Sequence, residues 1–505
     1  MLSSELIDLI NGIEARAPVA AWSIDGIHVW PLIRIRLMFD LYYVGNTATP
    51  RPGGPAGLGA RLTALARVLL RQRQAERADP GKNQPLHSPA DALFVSDGVS
   101  FAKVGGLWCE RFCDPLVDVL RQNGFRTSML TPGVSFLVPR RSPSRFIQAQ
   151  LRIAGLLSTV KARARPASRE ELPGYPDAVA YLAERGFPVD LPSSPELYRQ
   201  VCRIRAYSAF FRKVISRTRP AVGIVVSYYG DEGMAFNHAC RERGIPSVDL
   251  QHGLQGDLHA AYGRWTAVPE GGYALLPSHF WCWSAEDAAS IAAWSTRTGG
   301  HHRAIVGGNL WLEAWRRGDS DLFRPHDTAI RTVKDRHSGT RHVLVTLQFN
   351  HDDPATLAPL LSAVRESGPD VFWWMRLHPG MLADREKVRE LLQSTGNARW
   401  ELDAASDHPL YAILRHVDAH VTHSSSAVIE AAELGVPSVI FSDVGRELFP
   451  GLIASGWAGV AADGGLLDVL REQIGKRDRG ELADVSPPHP RDGVARVLAM
   501  AGALR

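Results

Sequence analysis

The chain has 505 residues, more than a single hydrophobic core usually organises, so its length predicts two or three domains. Hydrophobic residues make up 45% of the sequence and charged residues 22%, as in an ordinary globular protein. The formal net charge of +4 is small for a nucleic-acid-binding protein and argues against that class. The five cysteines show no zinc-binding spacing, and we interpret them as free thiols in a reducing compartment.

The sequence contains no recognisable targeting or membrane-spanning segment. Its first residues lack the basic start and the long apolar stretch of a signal peptide. No apolar run reaches the roughly 18 residues that a membrane-spanning helix requires. We therefore expect a cytoplasmic protein, either free or in peripheral contact with the cytoplasmic face of the inner membrane.

Residues 1–90 form an N-terminal segment of several parts. A short helix and an aromatic-rich stretch, residues 22–37, come first, and a Pro- and Gly-rich stretch, residues 47–60, follows and is unable to pack a core. Residues 61–77 place leucines at helical spacing among five arginines, which is typical of a basic amphipathic helix. Such a helix either lies on anionic lipid or packs on its own domain.

A first alternation of strands and helices fills residues 91–300. Residues 92–95 form a short apolar run that ends at Ser96-Asp97-Gly98, before a helix predicted over residues 114–123. Residues 221–226 form a second buried strand, and another helix and strand follow it. Two such units indicate a parallel sheet with helices on both faces, which predicts a Rossmann-like domain.

The same alternation restarts over residues 301–480 and predicts a second domain of the same kind. Residues 481–505 contain a further predicted helix, which we expect to cross back to the first domain. The predicted fold is therefore α/β, with two doubly wound Rossmann-like domains facing a central cleft. The predicted strands of the second domain cover residues 342–347, 371–377, 416–422 and 436–441.

Serines and a histidine follow two predicted strands, at the position where open parallel sheets bind ligands. Ser424, Ser425 and Ser426 open a helix, and a helix N-terminus with serine hydroxyls is typical of phosphate binding. Plain helix capping is the alternative, although one serine suffices for it. His378 is a candidate to neutralise a departing phosphate, either by hydrogen bonding or as a general acid.

Two adjacent acids, Asp231 and Glu232, lie on a loop between Gly230 and Gly233. The two glycines allow a close approach of the backbone to a ligand. One of the carboxylates is a candidate base for an acceptor hydroxyl, or a nucleophile toward an anomeric carbon. Two solvated loop acids are the alternative interpretation.

These loops together carry a family resemblance. Asp231-Glu232-Gly233, then His378-Pro379, then the serine triplet resemble the three signature motifs of bacterial sialyltransferases and polysialyltransferases. They also resemble those of the Kdo transferases of capsule and O-antigen assembly, where Kdo is an eight-carbon acidic sugar. The resemblance covers roughly residues 90–460 and implies a GT-B fold with a CMP-activated 2-keto sugar acid as donor. It further implies an oligosaccharide or glycolipid acceptor in bacterial surface polysaccharide synthesis.

The resemblance also implies roles for individual residues. Asp231 would be the catalytic carboxylate, and Glu430 would bind the nucleotide ribose unless it is an ordinary glutamate on a helix surface. Gln251-His252-Gly253 resembles a segment of capsule-type transferases, which favours Kdo over sialic or other nonulosonic acids. The predicted phosphate site comprises His378, Pro379, Gly380, Ser424, Ser425 and Ser426. Residues expected in the cleft without an assigned role are Tyr229, Gln251, His252 and Arg376.

The predicted chemistry needs neither a metal nor another cofactor. CMP leaves through a single phosphate, so one phosphate site suffices, and no His or Cys cluster has metal-ligand spacing. We interpret Asp319-Ser320-Asp321 as a surface loop, because it follows no strand. The donor carboxylate requires a cation, for which Arg111, Arg264 and Arg376 are the candidates. The stereochemical outcome stays open, since one aspartate serves either as nucleophile or as base.

Three alternatives remain at this stage. The first is a GT-B enzyme that uses a UDP- or GDP-hexose, or a CDP-glycerol donor. The second is a nucleotide-sugar 2-epimerase, which shares the fold but is shorter and leaves residues 22–77 without a purpose. The third is a catalytically silent assembly protein on the same fold, against which the presence of Asp231 argues.

Overall fold

The computed structural model describes most of the chain. Residues 45–57, which include most of the Pro- and Gly-rich stretch, and Asp319 and Ser320 of the Asp-Ser-Asp motif lie outside the described part. All five cysteines are free thiols, and four of them are buried. The described ranges are 2–44, 58–86, 88–133, 137–164, 172–187, 190–318, 321–348, 353–461, 465–483 and 491–503.

The sequence delimits residues 1–90 as an N-terminal segment, and the first two long helices of this segment, Ser3–Arg16 and Trp30–Val44, pack into the core of the first domain. Leu6, Ile10 and Ile33 are buried in one hydrophobic cluster with the first sheet. The aromatic-rich stretch becomes helical from Trp30 onward, and this helix is apolar on most sides because it is almost fully buried. The elements are α1 (Ser3–Arg16), β1 (Ser23–Ile24), β2 (Ile27–His28), α2 (Trp30–Val44) and α3 (Leu58–Ala78).

The first domain contains a seven-stranded sheet whose strands are all parallel. Its strands are β3 (Ala92–Val95), β6 (Thr127–Thr131), β7 (Arg145–Phe146), β8 (Val222–Val226), β9 (Ser247–Leu250), β10 (His279–Cys282) and β11 (Arg303–Val306). A separate hairpin joins β4 (Phe101–Val104) to β5 (Leu107–Glu110). The helices are α4 (Cys113–Gln122), α5 (Gln148–Ala164), α6 (Tyr175–Glu184), α7 (Ser194–Thr218), α8 (Asp231–Glu242) and α9 (Ala285–Ser295).

Alternate residues of the central strands enter two different cores, so the first sheet is covered on both faces. Leu93 and Val95 of β3 join the cluster that contains α1 and α2, whereas Ala92 and Phe94 join the cluster below α4. The strand order is β11-β10-β9-β8-β3-β6-β7. The sheet therefore extends to Val306, beyond the predicted domain boundary at residue 300.

The second domain contains a six-stranded sheet, also parallel throughout, in the order β14-β13-β12-β15-β16-β17. Its strands are β12 (Arg341–Thr346), β13 (Val371–Arg376), β14 (Trp400–Glu401), β15 (Ala419–Thr422), β16 (Ser438–Ile440) and β17 (Ala458–Val460). Its helices are α10 (Leu310–Arg317), α11 (Arg324–Arg336), α12 (Pro354–Glu366), α13 (Arg385–Gln393), α14 (Asp403–Asp407), α15 (Leu410–Leu414), α16 (Ala427–Glu433), α17 (Asp443–Leu448), α18 (Pro450–Ala454) and α19 (Leu466–Asp478).

The last helix, α20 (Arg491–Gly502), lies against the first domain, beside β11, β8 and α4. Val497 and Ala501 of this helix are buried in the same core as Trp281 of β10. A Cβ on Gly493 would come within 2.6 Å of the Gly307 Cα, so only glycine lets the helix approach the strand end this closely. Among the described residues, every helix is too short or too polar to cross a membrane.

Candidate functional site

The carboxyl ends of the first sheet carry a set of polar side chains on tight turns. Ser96 and Asp97 follow β3, and both carboxylate oxygens of Asp97 are bonded to the next turn, through the Val99 and Ser100 N–H groups and the Ser100 hydroxyl. Ser227 follows β8 with φ +58°, a left-handed conformation that is costly for a residue other than glycine. Backbone strain of this kind is concentrated at functional sites, so the conformation of Ser227 supports a site at the carboxyl end of the first sheet.

Asp231 is the first residue of α8, and its carboxylate is bound to α7. Gln200 Nε2 donates to Asp231 Oδ1 at 2.9 Å, and Arg203 Nε donates to Oδ2 at 2.5 Å. Both oxygens are therefore engaged within the protein. The backbone of Gly233 packs closely against the backbone of Tyr228 and not against an open ligand site. A Cβ at position 233 would lie 2.6 Å from the Tyr228 carbonyl oxygen.

Glu232 lines a cavity of about 440 Å³ beyond the ends of β3 and β8. Burial raises the pKa of its carboxyl, and the negative charge of Asp231 adds to that effect. The volume is within the range of small-molecule pockets, about 300–1,000 Å³. The other polar or charged residues of the lining are Arg71, Gln72, Ser96, Asp97, Gln148, Arg152 and Ser227.

The Gln251-His252-Gly253 loop follows β9 and reaches the second domain. Gln251 is a positioning residue, since its amide bonds the Gly253 carbonyl, Asp287 and the Trp283 N–H. A Cβ on Gly253 would lie 3.9 Å from the Ser426 hydroxyl, so this loop faces the serine turn.

His252 Nε2 lies 3.0 Å from the Tyr229 hydroxyl, and its Nδ1 is buried without a hydrogen-bond partner. Burial lowers the pKa of His252, and the charge of Arg111 has the same effect. Its imidazole is therefore neutral at pH 7, and Tyr229 and His252 form a polar pair beside the domain junction.

The cationic side chain of Arg376 ends β13 in the second domain, and the imidazole of His378 follows this strand. Arg376 donates through Nη1 to the carbonyl oxygens of Ala405 and His408, and burial together with the charge of Arg111 lowers its pKa to about 10. It therefore stays charged at neutral pH. The Gly380 N–H donates to His378 Nδ1 at 3.1 Å, which places the proton of the neutral imidazole on Nε2.

Arg111 connects the two domains electrostatically. Arg111 directly follows the β4–β5 hairpin of the first domain. Its Nε donates a hydrogen bond to the Ser100 carbonyl, which precedes the same hairpin, at 3.4 Å. Its charge nevertheless acts on Arg376 and His378 of the second domain. His378 is itself exposed, and its pKa is lowered first by partial desolvation and then by the charges of Arg111 and Arg376. Arg111 of the first domain is thus close enough to Arg376 and His378 of the second domain for its charge to lower the pKa of both.

Most N–H groups of the serine turn are already bonded within the protein. The Ser424 N–H donates to Gln348 Oε1 at 2.6 Å, and the Ser425 N–H donates to Thr422 Oγ1 at 3.3 Å. Ser424 is also buried, whereas Ser425 and Ser426 are half-buried. The expected backbone cradle for phosphate is therefore not preformed. The Ser425 hydroxyl accepts from the Ala427 N–H at 3.3 Å, so it has a donor proton for a ligand.

Glu430 is buried and is no ordinary glutamate on a helix surface. The Tyr411 hydroxyl donates to its Oε1 at 3.0 Å, and its Oε2 is buried without a hydrogen-bond partner. Burial raises the pKa of Glu430 to about 7, although Tyr411 and Arg111 act in the opposite direction. A buried carboxylate oxygen without a partner costs free energy, which a ligand hydroxyl would recover.

The structure brings part of the predicted set together. His378, Arg376, Glu430 and the serine turn lie on the second domain, opposite Arg111 and the Gln251–Gly253 loop. Pro379 and Gly380 are exposed beside His378. Arg264 has Asp257 as its ionic neighbour, at 3.9 Å, and no contact places it with this group.

Sequence reasoning gave no role to Asp97. Its charge acts on His252, and it also lines the cavity of Glu232, so it borders both parts of the site. Asp97 lies shortly after a buried parallel strand, a position where open sheets bind ligands, and this feature of the sequence indicates a candidate site residue. In the described part of the chain, no group of three or more His, Cys, Asp or Glu residues is arranged to hold a metal ion.

The chain matches no protein-family model and no curated protein. Solved structures similar to it include the UDP-GlcNAc 2-epimerase of Neisseria meningitidis bound to UDP-GlcNAc, with 13% identity, coverage of 82% of this chain and 100% of that chain, and a TM-score of 0.47. For the glycosyltransferase SnogD of Streptomyces nogalater these values are 19%, 81%, 99% and 0.37. For the wall teichoic acid polymerase TagF they are 11%, 89%, 98% and 0.43.

At these low scores the fold assignment rests on the two parallel sheets themselves. The α/β class and the two doubly wound sheets that the sequence predicts are confirmed.

Proposed function

We propose that this protein is a GT-B glycosyltransferase that moves an acidic 2-keto sugar from its CMP donor to a glycan acceptor. Kdo is the favoured sugar, and sialic or another nonulosonic acid is the alternative. The acceptor is an oligosaccharide or a glycolipid of bacterial surface polysaccharide synthesis. The proposal rests on the motif resemblance and on the charges at the junction of the two domains.

The observation that carries the proposal is the convergence of Arg111, Arg376 and His378. Like charges that approach one another in a partly dehydrated site repel, and an anion between them relieves the repulsion. A CMP-activated sugar acid carries two such anions, the phosphate and the carboxylate on the anomeric carbon. One cluster of positive charge therefore suits this donor well.

The nucleotide half of the donor lies, in this proposal, on the second domain. His378 donates from Nε2 to the phosphate, and the hydroxyls of Ser425 and Ser426 supply further donors. Glu430 Oε2 accepts a hydrogen bond from a ribose hydroxyl, which would satisfy the oxygen that has no partner within the protein. The same contacts stabilise the phosphate as it leaves.

The acceptor hydroxyl is activated, in this proposal, by Glu232 with Asp231 in a supporting position. Glu232 lines the cavity and burial raises its pKa, which makes its carboxylate a stronger base than a fully solvated one. The motif resemblance implies that Asp231 is the catalytic carboxylate, but its two oxygens accept hydrogen bonds from Gln200 and Arg203. This bonding supports a role in fixing the start of α8.

A thermal-shift screen against CMP, CDP, UDP, UDP-GlcNAc and GDP, with and without magnesium, tests the donor assignment. A ligand that binds only the folded protein raises the melting temperature, so a shift with CMP alone is the expected result. A shift with UDP-GlcNAc or UDP would contradict the donor assignment and favour a 2-epimerase or a UDP-hexose transferase. A shift with CDP that exceeds the CMP shift would favour a CDP-glycerol donor. A silent assembly protein would shift with none of the five.

We further infer a peripheral contact with the inner membrane through α3 and α5, which pack on each other. Leu62 and Leu70 of α3 are exposed, and so are Ile153, Leu157 and Val160, which form one stripe along α5. The exposed arginines of α3 complement anionic lipid. Co-sedimentation with phosphatidylglycerol vesicles tests this contact, and binding that equals that to phosphatidylcholine vesicles would count against it.

A further inference from the structure

The cavity of Glu232 is bipolar. Its strand side carries the carboxyl groups of Asp97 and Glu232, together with Ser96 and Ser227. Its helix side carries Arg71 of α3 and Arg152 of α5. A ligand that matches this lining has an anionic group at one end and hydroxyl groups at the other.

Two helix N-termini open onto the same cavity. Gln148, the first residue of α5, belongs to the lining, and so do Gly230 and Glu232 at the start of α8. Both helices have more than two turns, so each contributes a partial positive charge that favours an anion, although the Ala149 N–H of α5 already donates to Gln72 Oε1 at 3.3 Å. The dipole of α5 therefore acts in the same sense as the two arginines, whereas the start of α8 also places the Glu232 carboxyl in the lining.

An unsatisfied polar atom lies in the lining as well. Ser96 is 1% exposed, and its hydroxyl oxygen has no hydrogen-bond partner within the protein. A buried hydroxyl without a partner costs free energy unless a ligand or water supplies the bond. This hydroxyl lies on the strand side of the cavity, where sugar hydroxyls would be placed.

We propose that this cavity binds the terminal sugar of the acceptor and that this sugar carries a carboxylate or a phosphate. The anion pairs with Arg71 and Arg152, and a sugar hydroxyl faces Glu232. Glu232 takes the hydroxyl proton as that oxygen bonds the anomeric carbon of the donor, while the bond from this carbon to the phosphate oxygen breaks and CMP leaves with the bonding electrons. The inference rests on the proposed transferase function for the role of acceptor. The binding of an anionic sugar is independent of that function.

Titrations of the full chain by ligand-observed NMR test the proposal with glucuronic acid, glucose 6-phosphate and glucose. We expect one of the two anionic sugars to bind at least about tenfold more tightly than glucose, as charge-assisted hydrogen bonds predict. The stronger anionic ligand identifies the group as carboxylate or phosphate. Equal binding of all three sugars, or no binding of either anionic sugar in the millimolar range, would overturn the proposal.

A pair of double variants locates the binding site. Arg71→Gln with Arg152→Gln removes the two charges at the cavity and should abolish the preference for the anionic sugar. Arg67→Gln with Arg73→Gln removes two exposed arginines of α3 that do not line the cavity and should leave the preference intact. An equal loss in both double variants would show a non-specific charge effect and would refute the site. Because no nucleotide is present, failure of CMP to shift the melting temperature leaves this result unaffected.

Discussion

Asp231 and Glu232 are neighbours in sequence but have different surroundings. The Asp231 carboxylate is held by Arg203 and Gln200 on α7, whereas the Glu232 carboxyl lines a cavity and loses solvent. A helix start turns successive side chains by about 100°, which sends these two in different directions. A short acidic motif therefore does not reveal which of its acids meets a substrate.

Replacing Glu232 by Gln should lower kcat by about a hundred- to ten-thousandfold, since a general base is lost while the shape of the side chain is kept. Asp231→Asn should leave a larger residual kcat, because it weakens an ion pair and leaves the base in place. Transfer assays with the donor that the thermal-shift screen selects, at saturating acceptor, measure both values. A greater decrease of kcat in Asp231→Asn than in Glu232→Gln would indicate that Asp231, and not Glu232, is the general base.

Glu430→Gln should stabilise the protein above pH 7 and weaken CMP binding. The folded-state pKa of Glu430 is raised to about 7, so wild-type stability falls, relative to the variant, as pH rises from about 4.5 to 7. The gain at about pH 8.5 is up to roughly 3 kcal/mol, and it vanishes below about pH 4.5, where the wild-type side chain is also neutral. Urea unfolding at both pH values measures the difference.

The CMP affinity of the Glu430→Gln variant tests whether Glu430 accepts a hydrogen bond from the ribose. Loss of the charged acceptor should weaken CMP binding by about tenfold, and 2′-deoxy-CMP binding by less if the 2′-hydroxyl is the partner. A variant that gained stability but bound CMP as the wild type does would assign Glu430 a purely structural role.

At the scale of elements, the N-terminal helices hold the loop that follows β9. Arg34 Nη1 lies 2.5 Å from Glu14 Oε1, and both side chains are completely buried. Arg34 also donates to the carbonyl oxygens of Ala260 and Gly263, and Glu14 Oε2 accepts from the Thr266 N–H. The first helices thereby fix the chain that carries His252, which gives residues 1–44 a structural purpose.

Glu14→Ala should destabilise the protein by about 3–5 kcal/mol, because it leaves the buried Arg34 guanidinium without its counter-ion. Asp40→Ala, which removes the half-exposed partner of Arg36 on the same helix, is the control and should cost about 1 kcal/mol or less. Chemical denaturation followed by tryptophan fluorescence gives both values. Similar costs for the two variants would mean that the buried pair contributes no more than a surface pair.

At the scale of the whole molecule, the two domains are tied together at points far apart in sequence. The carboxylate of Glu447 on α17 accepts hydrogen bonds from the Ser3 and Ser4 N–H groups at the start of α1. Asn309 Nδ2 lies 3.2 Å from the Tyr411 hydroxyl, beside Glu430. The helix α20 follows the second domain in sequence and packs on the first, so it forms a further connection between the two domains.

The sequence by itself determined the two alternations of strand and helix, because buried parallel strands are apolar and their following turns contain Gly, Ser and Asp. It also pointed to His378 and Glu430, since residues after a strand or in the first turn of the next helix lie at the ligand-binding edge. The hairpin β4–β5 was not predicted, because each of its strands contains a charged residue and is no continuous apolar run, and the two-residue edge strands β7 and β14 are too short to show any periodicity.

Only the tertiary structure decided which predicted residues act together. The charge of Arg111 acts on Arg376 and His378 although more than 250 residues separate them, and no local pattern encodes such a proximity. The folded structure likewise shows that Glu232 lines the cavity and that Glu430 Oε2 is buried without a hydrogen-bond partner. It also shows that the N–H groups of Ser424 and Ser425 are bonded within the protein. These properties depend on desolvation and on neighbours from other elements, and both arise only when the chain is folded.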